Sequence, residues 1–395
     1  MEDNQMYDED GLLEEIKFSE LERVVINPKS WTPTVFYELF EVGDIDIKPK
    51  FQRRNAWDDD ARGKFIESLM IGYPVPEIIL AEVSNQPHRY IVIDGKQRLT
   101  SIIGFMKPEY EYWKESKIKN LKVRTDLNDL TYKDFEDKPN IIRRFRNVDI
   151  RCAIIQNVPK YDILYDMFIR LNTSFIQLSM QELRQALYPG PFSDYLMEIT
   201  DVQEKMILHK IAGFNAPDQR LEDVEIILKF FANYFFMGNY KGSLRAFLDE
   251  SIDTINKEWI HYEDKVKQAY ETFNDSLNKL YKGFNLIFTD ELNNYKKIGR
   301  LPDISKFNKA VFEAQVYFFA FVDESLITKE NFGKFVSDFQ IIFNNDREFS
   351  NSLRLGTNNQ KGYVKRFQTF EHIINESFGT NIEKIVNLTN QTINS

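Results

Sequence analysis

Residues 89–105 read Arg-Tyr-Ile-Val-Ile-Asp-Gly-Lys-Gln-Arg-Leu-Thr-Ser-Ile-Ile-Gly-Phe, and this stretch decides the fold. Arg89 to Ile93 is rich in β-branched and aromatic residues, which predicts a strand. Asp94-Gly95 breaks it, because this pair favours a turn over a ladder. Leu99, Ile102 and Ile103 then recur at helical spacing, which predicts a helix over 97–105.

Working upstream, Ile78 to Val83 predicts the partner strand of a hairpin, joined through the turn Ser84-Asn85-Gln86-Pro87. Before it, Asp58 to Asp60 offer helix N-caps, and Phe65, Ile66, Leu69 and Met70 make one apolar helical face. Gly72 ends that helix, with Pro74 and Pro76 beyond. Asp44 to Phe51 alternates charged and apolar residues as far as Pro49, which predicts a short edge strand. Gln52, Arg53, Arg54 and Trp57 follow it. Residues 1–30 read as an acidic lead-in.

Working downstream, residues 107–140 are charged and irregular, and Val148 to Ile155 predicts another strand. After Pro159 the pattern turns helical, over 161–171, 179–188, 220–237, 243–252, 256–288, 304–322, 328–344 and 361–377. Ser179 with Glu182 three residues on is a capping box. The organisation expected is a lead-in over 1–30, a domain over 31–157 and a helical domain over 158–395. The fold class is α+β, a small mixed sheet followed by a mainly α-helical body.

The 395 residues are 43% hydrophobic and include 33 Phe and 19 Tyr, ample for packed cores. The single cysteine, Cys152, excludes an intramolecular disulfide and a cysteine zinc cage. It points to a reducing compartment, and with an acidic, polar N-terminus the expected location is cytoplasmic. No apolar run is long enough to span a bilayer, so no membrane partner is expected. A net charge of -10 opposes unspecific coating of DNA but leaves room for a local basic face.

The order strand, Asp-Gly, helix start carries a chemical expectation. The first N–H groups of a helix are unpaired and sit at the positive end of its dipole. Gly95 lets a ligand approach the backbone closely. Lys96 and Arg98 add positive charge, and Arg98 can grip phosphate oxygens with two N–H groups. Asp94 can hold a metal ion or a sugar hydroxyl. The same residues also suit a plain tight turn with Arg98 as an ion-pair partner.

Pro49, Phe51, Gln52, Arg53 and Trp57, then Gly72, Pro74 and Pro76, then Ile93, Asp94, Gly95, Gln97, Arg98, Leu99 and Thr100, stand in a specific order. In this the chain resembles the ParB-like N-terminal domain of GmrSD-type modification-dependent restriction proteins and their phage-defence relatives. The family signature reads Asp-Gly-Gln-Gln-Arg, and Lys96 replaces its first Gln. Asn172, Leu178, Ser179, Glu182 and Arg184 match a second family segment, in which Ser174 and Phe175 stand where the family has a Gly pair. The likeness covers residues 40–250.

The resemblance implies a ParB/sulfiredoxin-like fold and a nucleoside triphosphate site with hydrolysis. Carried over, Gln52, Arg53, Gly95, Lys96, Gln97, Thr100 and Asn172 would bind the nucleotide. Asp94 and Arg98 would be catalytic, with Asp94 holding Mg²⁺. Two alternatives stand beside this reading. One is a non-catalytic, nucleotide-regulated module that recruits a separate effector protein. The other is a metal-dependent nuclease built on the ParB fold. No Walker A pattern is present.

Other signals read as structural or open. Restriction relatives often carry an HNH nuclease, but the four histidines here are His88, His209, His261 and His372, and none follows His372. Cys152 sits in an apolar strand pattern and reads as a buried thiol rather than a sulfiredoxin-type nucleophile. Trp57 and the run Phe230, Phe231, Tyr234, Phe235 and Phe236 read as core. Arg143, Arg144, Arg146 and Arg151 form a basic cluster around Phe145 that could track a DNA backbone or pair with Asp134, Glu136 and Asp137.

Overall fold

A computed structural model of the chain describes residues 22–45, 47, 57–83, 87–110, 113, 116–135, 137–171, 179–201, 205–214, 216, 218, 220–289, 293–355 and 359–383. The chain divides into two compact units, and the first spans Glu14–Leu187.

Four strands form the sheet of this first unit: β1 (Val25–Trp31), β2 (Ile78–Glu82), β3 (Tyr90–Asp94) and β4 (Ile150–Gln156). Their spatial order is β1-β4-β2-β3. β4 pairs antiparallel with β1 and parallel with β2, and β2 pairs antiparallel with β3. The inner strands carry the apolar runs, so Ile78, Leu80, Ile154 and Ile155 are buried. β1 is the edge, mostly exposed, and it tolerates Pro28 because an edge strand leaves N–H positions unpaired.

Helices α1 (Pro33–Glu41), α2 (Asp59–Ile71), α3 (Lys96–Met106) and α4 (Pro139–Asn147) pack with the sheet around one core. Ile66, Leu69, Ile102, Ile103, Phe105, Trp113 and Phe145 lie at its centre. Asp58 caps α2 by accepting from the Ala61 N–H at 2.8 Å, and Gly72 closes it with φ of 78°. Trp57 stacks edge-on against Phe65, as a core residue should. Between α3 and α4 the described residues include three short 3-10 turns, in keeping with the irregular pattern of this stretch.

Helices α5 (Tyr161–Leu171) and α6 (Met180–Leu187) pack on β3. The compact unit therefore ends at Leu187, beyond the boundary at 157/158 read from the change of pattern. The pattern change is real, but these two helices bury their apolar faces on the sheet they follow. Val25 to Trp31, at the end of the stretch read as a lead-in, forms β1. Polar residues on an exposed edge strand hide its alternation. Of the edge strand expected over 44–51, Ile45 bridges to Tyr90 and Ile47 is buried, and most of the remainder lies outside the described residues.

The second compact unit takes in residues 188–395. Its helices are α7 (Pro191–Thr200), α8 (Ile207–Ala212), α9 (Glu222–Phe236), α10 (Leu244–Lys257), α11 (Trp259–Ile287), α12 (Lys309–Phe319), α13 (Lys329–Asn345), α14 (Arg347–Arg354) and α15 (Gln360–Phe378). A hairpin of β5 (Arg300–Leu301) and β6 (Ile304–Phe307) precedes α12, where the sequence suggested a helix from 304. Asn308 caps α12 through the Val311 N–H, so the helix begins where its cap allows. Phenylalanines fill this core, with Phe273, Phe319, Phe332, Phe335, Phe367 and Phe370 buried. Phe230 and Phe231 belong to the same packing, as expected. No described helix is long and apolar enough to cross a membrane.

Candidate functional site

The Asp94 turn lies at the end of β3. The register of β2 and β3 shifts between Ile79 and Leu80, so Ile79 faces Asp94 while Leu80 faces Val92. Such a bulge bends the strand end and re-aims its last side chain. Gly95 then adopts φ of 99° and ψ of 13° and opens α3. A Cβ at Gly95 would stand 3.0 Å from Ile78 Cγ1 and 3.3 Å from Arg98 Nε and Nη2. Both backbone and space therefore demand glycine.

The start of α3 lacks a side-chain cap, as do those of α4, α7, α9 and α11. Thr32, Asp58, Ser243, Asn308, Thr328, Asp346 and Asn359 cap their helices with side-chain oxygens. No side chain caps α3, and its first turn holds no acid. It holds Lys96 and Arg98 instead, which place two cations at the positive end of the dipole. Like charge there is unfavourable unless an anion is present. This combination fits an anion site.

Acids nearby hold the two cations. Arg98 Nη2 donates to Asp94 Oδ2 at 2.9 Å and to the Glu77 carbonyl at 3.0 Å. The Gly95 N–H donates to Asp94 Oδ1 at 2.7 Å. Asp94 is 42% exposed at its side chain and Arg98 only 11%. The pair thus has a solvent side, where Asp94 stands. Lys96 Nζ lies 3.7 Å from Glu182 Oε1 on α6. The capping box read from the sequence is present: the Ser179 N–H donates to Glu182 Oε2 at 2.7 Å, and the Glu182 N–H to Ser179 Oγ at 3.1 Å. Glu182 therefore serves two ends at once. One oxygen starts α6 and the other faces Lys96.

Two polar atoms of the turn are buried without a hydrogen-bond partner: Gln97 Oε1 and Arg98 Nε. The residues carried over from the resemblance divide as follows. Asp94, Gly95, Lys96, Gln97 and Arg98 lie together. Thr100 is fully buried, and its hydroxyl donates to the Gln97 carbonyl at 3.1 Å. One turn into α3, it faces the core. Gln52, Arg53 and Asn172 lie outside the described residues.

Sequence reasoning gave Glu182 a capping role alone and missed its second partner, because α3 and α6 meet only in the fold. It also missed Gln181 and Gln185, which are almost wholly buried on α6. Two polar residues four apart on the buried face of a short helix were the available signal.

Residues 36–189 match the family model described as GmrSD restriction endonuclease, N-terminal domain. This segment is similar to the N-terminal domain of GmrSD-type restriction endonucleases. It includes the whole Asp94 turn and both helices α5 and α6, which agrees with a structural unit ending at Leu187. No curated protein and no solved structure matches the chain at a significant level.

The remaining candidates are placed by geometry. Cys152 is fully buried in β4, and burial pushes its thiol up to about 11, which fits an inert structural role. His88 sits in the β2–β3 turn, its N–H bonded to Glu82. No group of three metal-ligating side chains gathers among the described residues. Arg143, Arg144, Arg146 and Arg151 are all exposed on the first unit. Asp134 bonds to Thr131 rather than to these arginines. Arg146 instead donates to the Tyr132 hydroxyl at 2.7 Å and covers its ring.

Proposed function

We propose that the Asp94 turn binds the phosphates of a nucleoside triphosphate, and that the chain is a nucleotide-binding module of a restriction or phage-defence system acting on DNA. The observation that carries this is the start of α3: an uncapped helix with glycine in the left-handed conformation and two cations in its first turn. The free N–H groups and the dipole attract phosphate oxygens, and Arg98 and Lys96 supply the counter-charge. The family match supplies the cellular setting.

Binding an anion here redistributes charge. Arg98 is held by Asp94, and Lys96 faces Glu182. A triphosphate offers both cations a stronger acceptor, so the acids must move or be neutralised. Asp94 provides a single, partly exposed carboxylate. That fits Mg²⁺ arriving with the nucleotide, since this ion is commonly held by one or two carboxylates and substrate phosphates. It would supply charge neutralisation at the phosphates. The chain's own contribution is to hold the phosphate oxygens on the first amides of α3 and to steady charge with Arg98.

Hydrolysis is the finer form of this proposal. The non-catalytic, effector-recruiting reading has one observation in its favour: both Asp94 oxygens are already engaged, by the Gly95 N–H and by Arg98. With these bonds kept, each oxygen has only its remaining lone pair for a water. DNA contact is assigned to the exposed helix face of Arg143, Arg144 and Arg146 with Arg151 on β4.

Equilibrium binding of nucleoside triphosphates with Mg²⁺, followed by phosphate release, tests the proposal on wild type and Arg98→Ala. Binding with turnover, both lost in the variant, supports the hydrolase. Binding without turnover supports the regulatory module. An absence of binding refutes the site.

A further inference from the structure

Three side-chain amides carry buried atoms without a hydrogen-bond partner among the described residues: Gln97, which is partly buried, and Gln181 and Gln185, which are buried. The other unpartnered buried atoms belong to arginine Nε groups and to Trp113. Gln97 stands in the first turn of α3 beside Lys96, and Gln181 and Gln185 stand on α6 to either side of Glu182. The Lys96–Glu182 pair ties these two helix segments together at 3.7 Å, and α6 packs on β3, whose last residue is Asp94. Gln181 and Gln185 thus stand on the helix whose Glu182 meets Lys96, the neighbour of Gln97.

A buried amide without partners is costly, and an apolar side chain of similar volume would serve packing better. Gln181 and Gln185 are each only 1% exposed. Bulk water does not satisfy them. Their retention at one place calls for a ligand.

The polarity of the unpartnered atoms says what that ligand presents. Gln97 Oε1 and Gln185 Oε1 are acceptors, whereas Gln181 Nε2 and Gln185 Nε2 are donors. The orientation of Gln181 is fixed, because Arg184 Nη1 donates to its Oε1 at 2.6 Å. Phosphate has no donors at neutral pH and would be repelled by the two acceptors. A nucleobase edge alternates donors and acceptors, and a side-chain amide matches such an edge with one of each.

We propose that Gln181 and Gln185, with Gln97, hydrogen-bond the base of the nucleotide whose phosphates the Asp94 turn holds, so that α6 sets base preference. This rests on the proposed function and extends it from phosphate binding to base selection. Gln185, with both amide atoms unpartnered, is the principal reader.

The test uses the full chain with Mg²⁺ and compares tripolyphosphate with ATP, GTP, CTP and UTP, and each ribonucleotide with its 2′-deoxy form. Wild type is expected to prefer one base by about tenfold or more, as sites that hydrogen-bond a polar edge do. In Gln185→Met that preference should flatten, while tripolyphosphate affinity stays within about twofold. The ligand-free melting temperature of Gln185→Met should not fall, because an unsatisfied amide has been removed. Gln97→Met provides an independent second variant with the same expected flattening. Unchanged discrimination in both variants overturns the proposal. So does equal binding of all four bases with loss only in the deoxy forms, which would give the amides to the ribose. Equal binding of every nucleotide and of tripolyphosphate overturns it while leaving the phosphate site standing. No binding of any probe removes both.

Discussion

Replacing Gly95 by alanine tests the geometry on which the site depends. Alanine at φ of 99° pays the left-handed penalty, about 1–2 kcal/mol. Its methyl group would also press on Ile78 Cγ1 at 3.0 Å and on the Arg98 guanidinium at 3.3 Å. Ile78 is fully buried on a central strand and has little room to yield. Overpacking of this kind adds roughly 1–3 kcal/mol. Gly72 is the internal control: it lies in the same unit with φ of 78°, and a Cβ there meets nothing within 4 Å. Gly72→Ala therefore pays the backbone penalty alone, about 1–2 kcal/mol. Urea unfolding followed by tryptophan fluorescence should place the Gly95→Ala transition of the first unit below that of Gly72→Ala. The difference should be on the order of 1–3 kcal/mol. Gly95→Ala should also weaken triphosphate binding, because the methyl displaces Arg98 and stands where the ligand approaches the first amides of α3. Gly72→Ala should leave affinity unchanged. Equal destabilisation by the two substitutions, with nucleotide affinity intact in both, would refute the reasoning.

Three further outcomes follow from single observations. The Cys152 thiol is raised from 9.0 to about 11, chiefly by burial; it should resist a thiol reagent at pH 8 until urea unfolds the sheet. The unfolded thiol ionises first as pH rises, so its contribution to the first unit's stability is intact below pH 9.0 and lost through about 11, and the urea midpoint should fall across that window less steeply in Cys152→Ala. Gly283 on α11 leaves no room for a side chain against the buried Phe332 ring of α13, so Gly283→Ala should destabilise the second unit by about 1–3 kcal/mol in calorimetry, with nucleotide affinity unmoved. The double variant Arg143→Ala with Arg144→Ala should weaken duplex binding equally for unrelated sequences and flatten the salt dependence by roughly two phosphate contacts, as read by fluorescence anisotropy against salt.

The sequence by itself determined the local elements of the first unit. Hydrophobic spacing, Asp58, Gly72 and Asp94-Gly95 place α2, β2, β3 and α3 close to where the structure has them, because caps and glycine turns act over a few residues. The motif around Asp94 and its relation to the GmrSD-type domain were legible for the same reason: all its parts are consecutive. Tertiary structure decided what depends on residues far apart in the chain. β1 has no apolar alternation of its own and is a strand because β4 offers it a hydrogen-bonding edge. Helices α5 and α6 look like the start of the helical body, yet they belong with the sheet because their buried faces close on β3. Glu182 reads as a cap in one dimension and as the partner of Lys96 in three. Gln181 and Gln185 acquire chemical meaning only when packing removes them from water and leaves Gln181 Nε2 and both Gln185 amide atoms without a partner. Burial and pairing are properties of the assembled core, and no spacing rule along the chain encodes them.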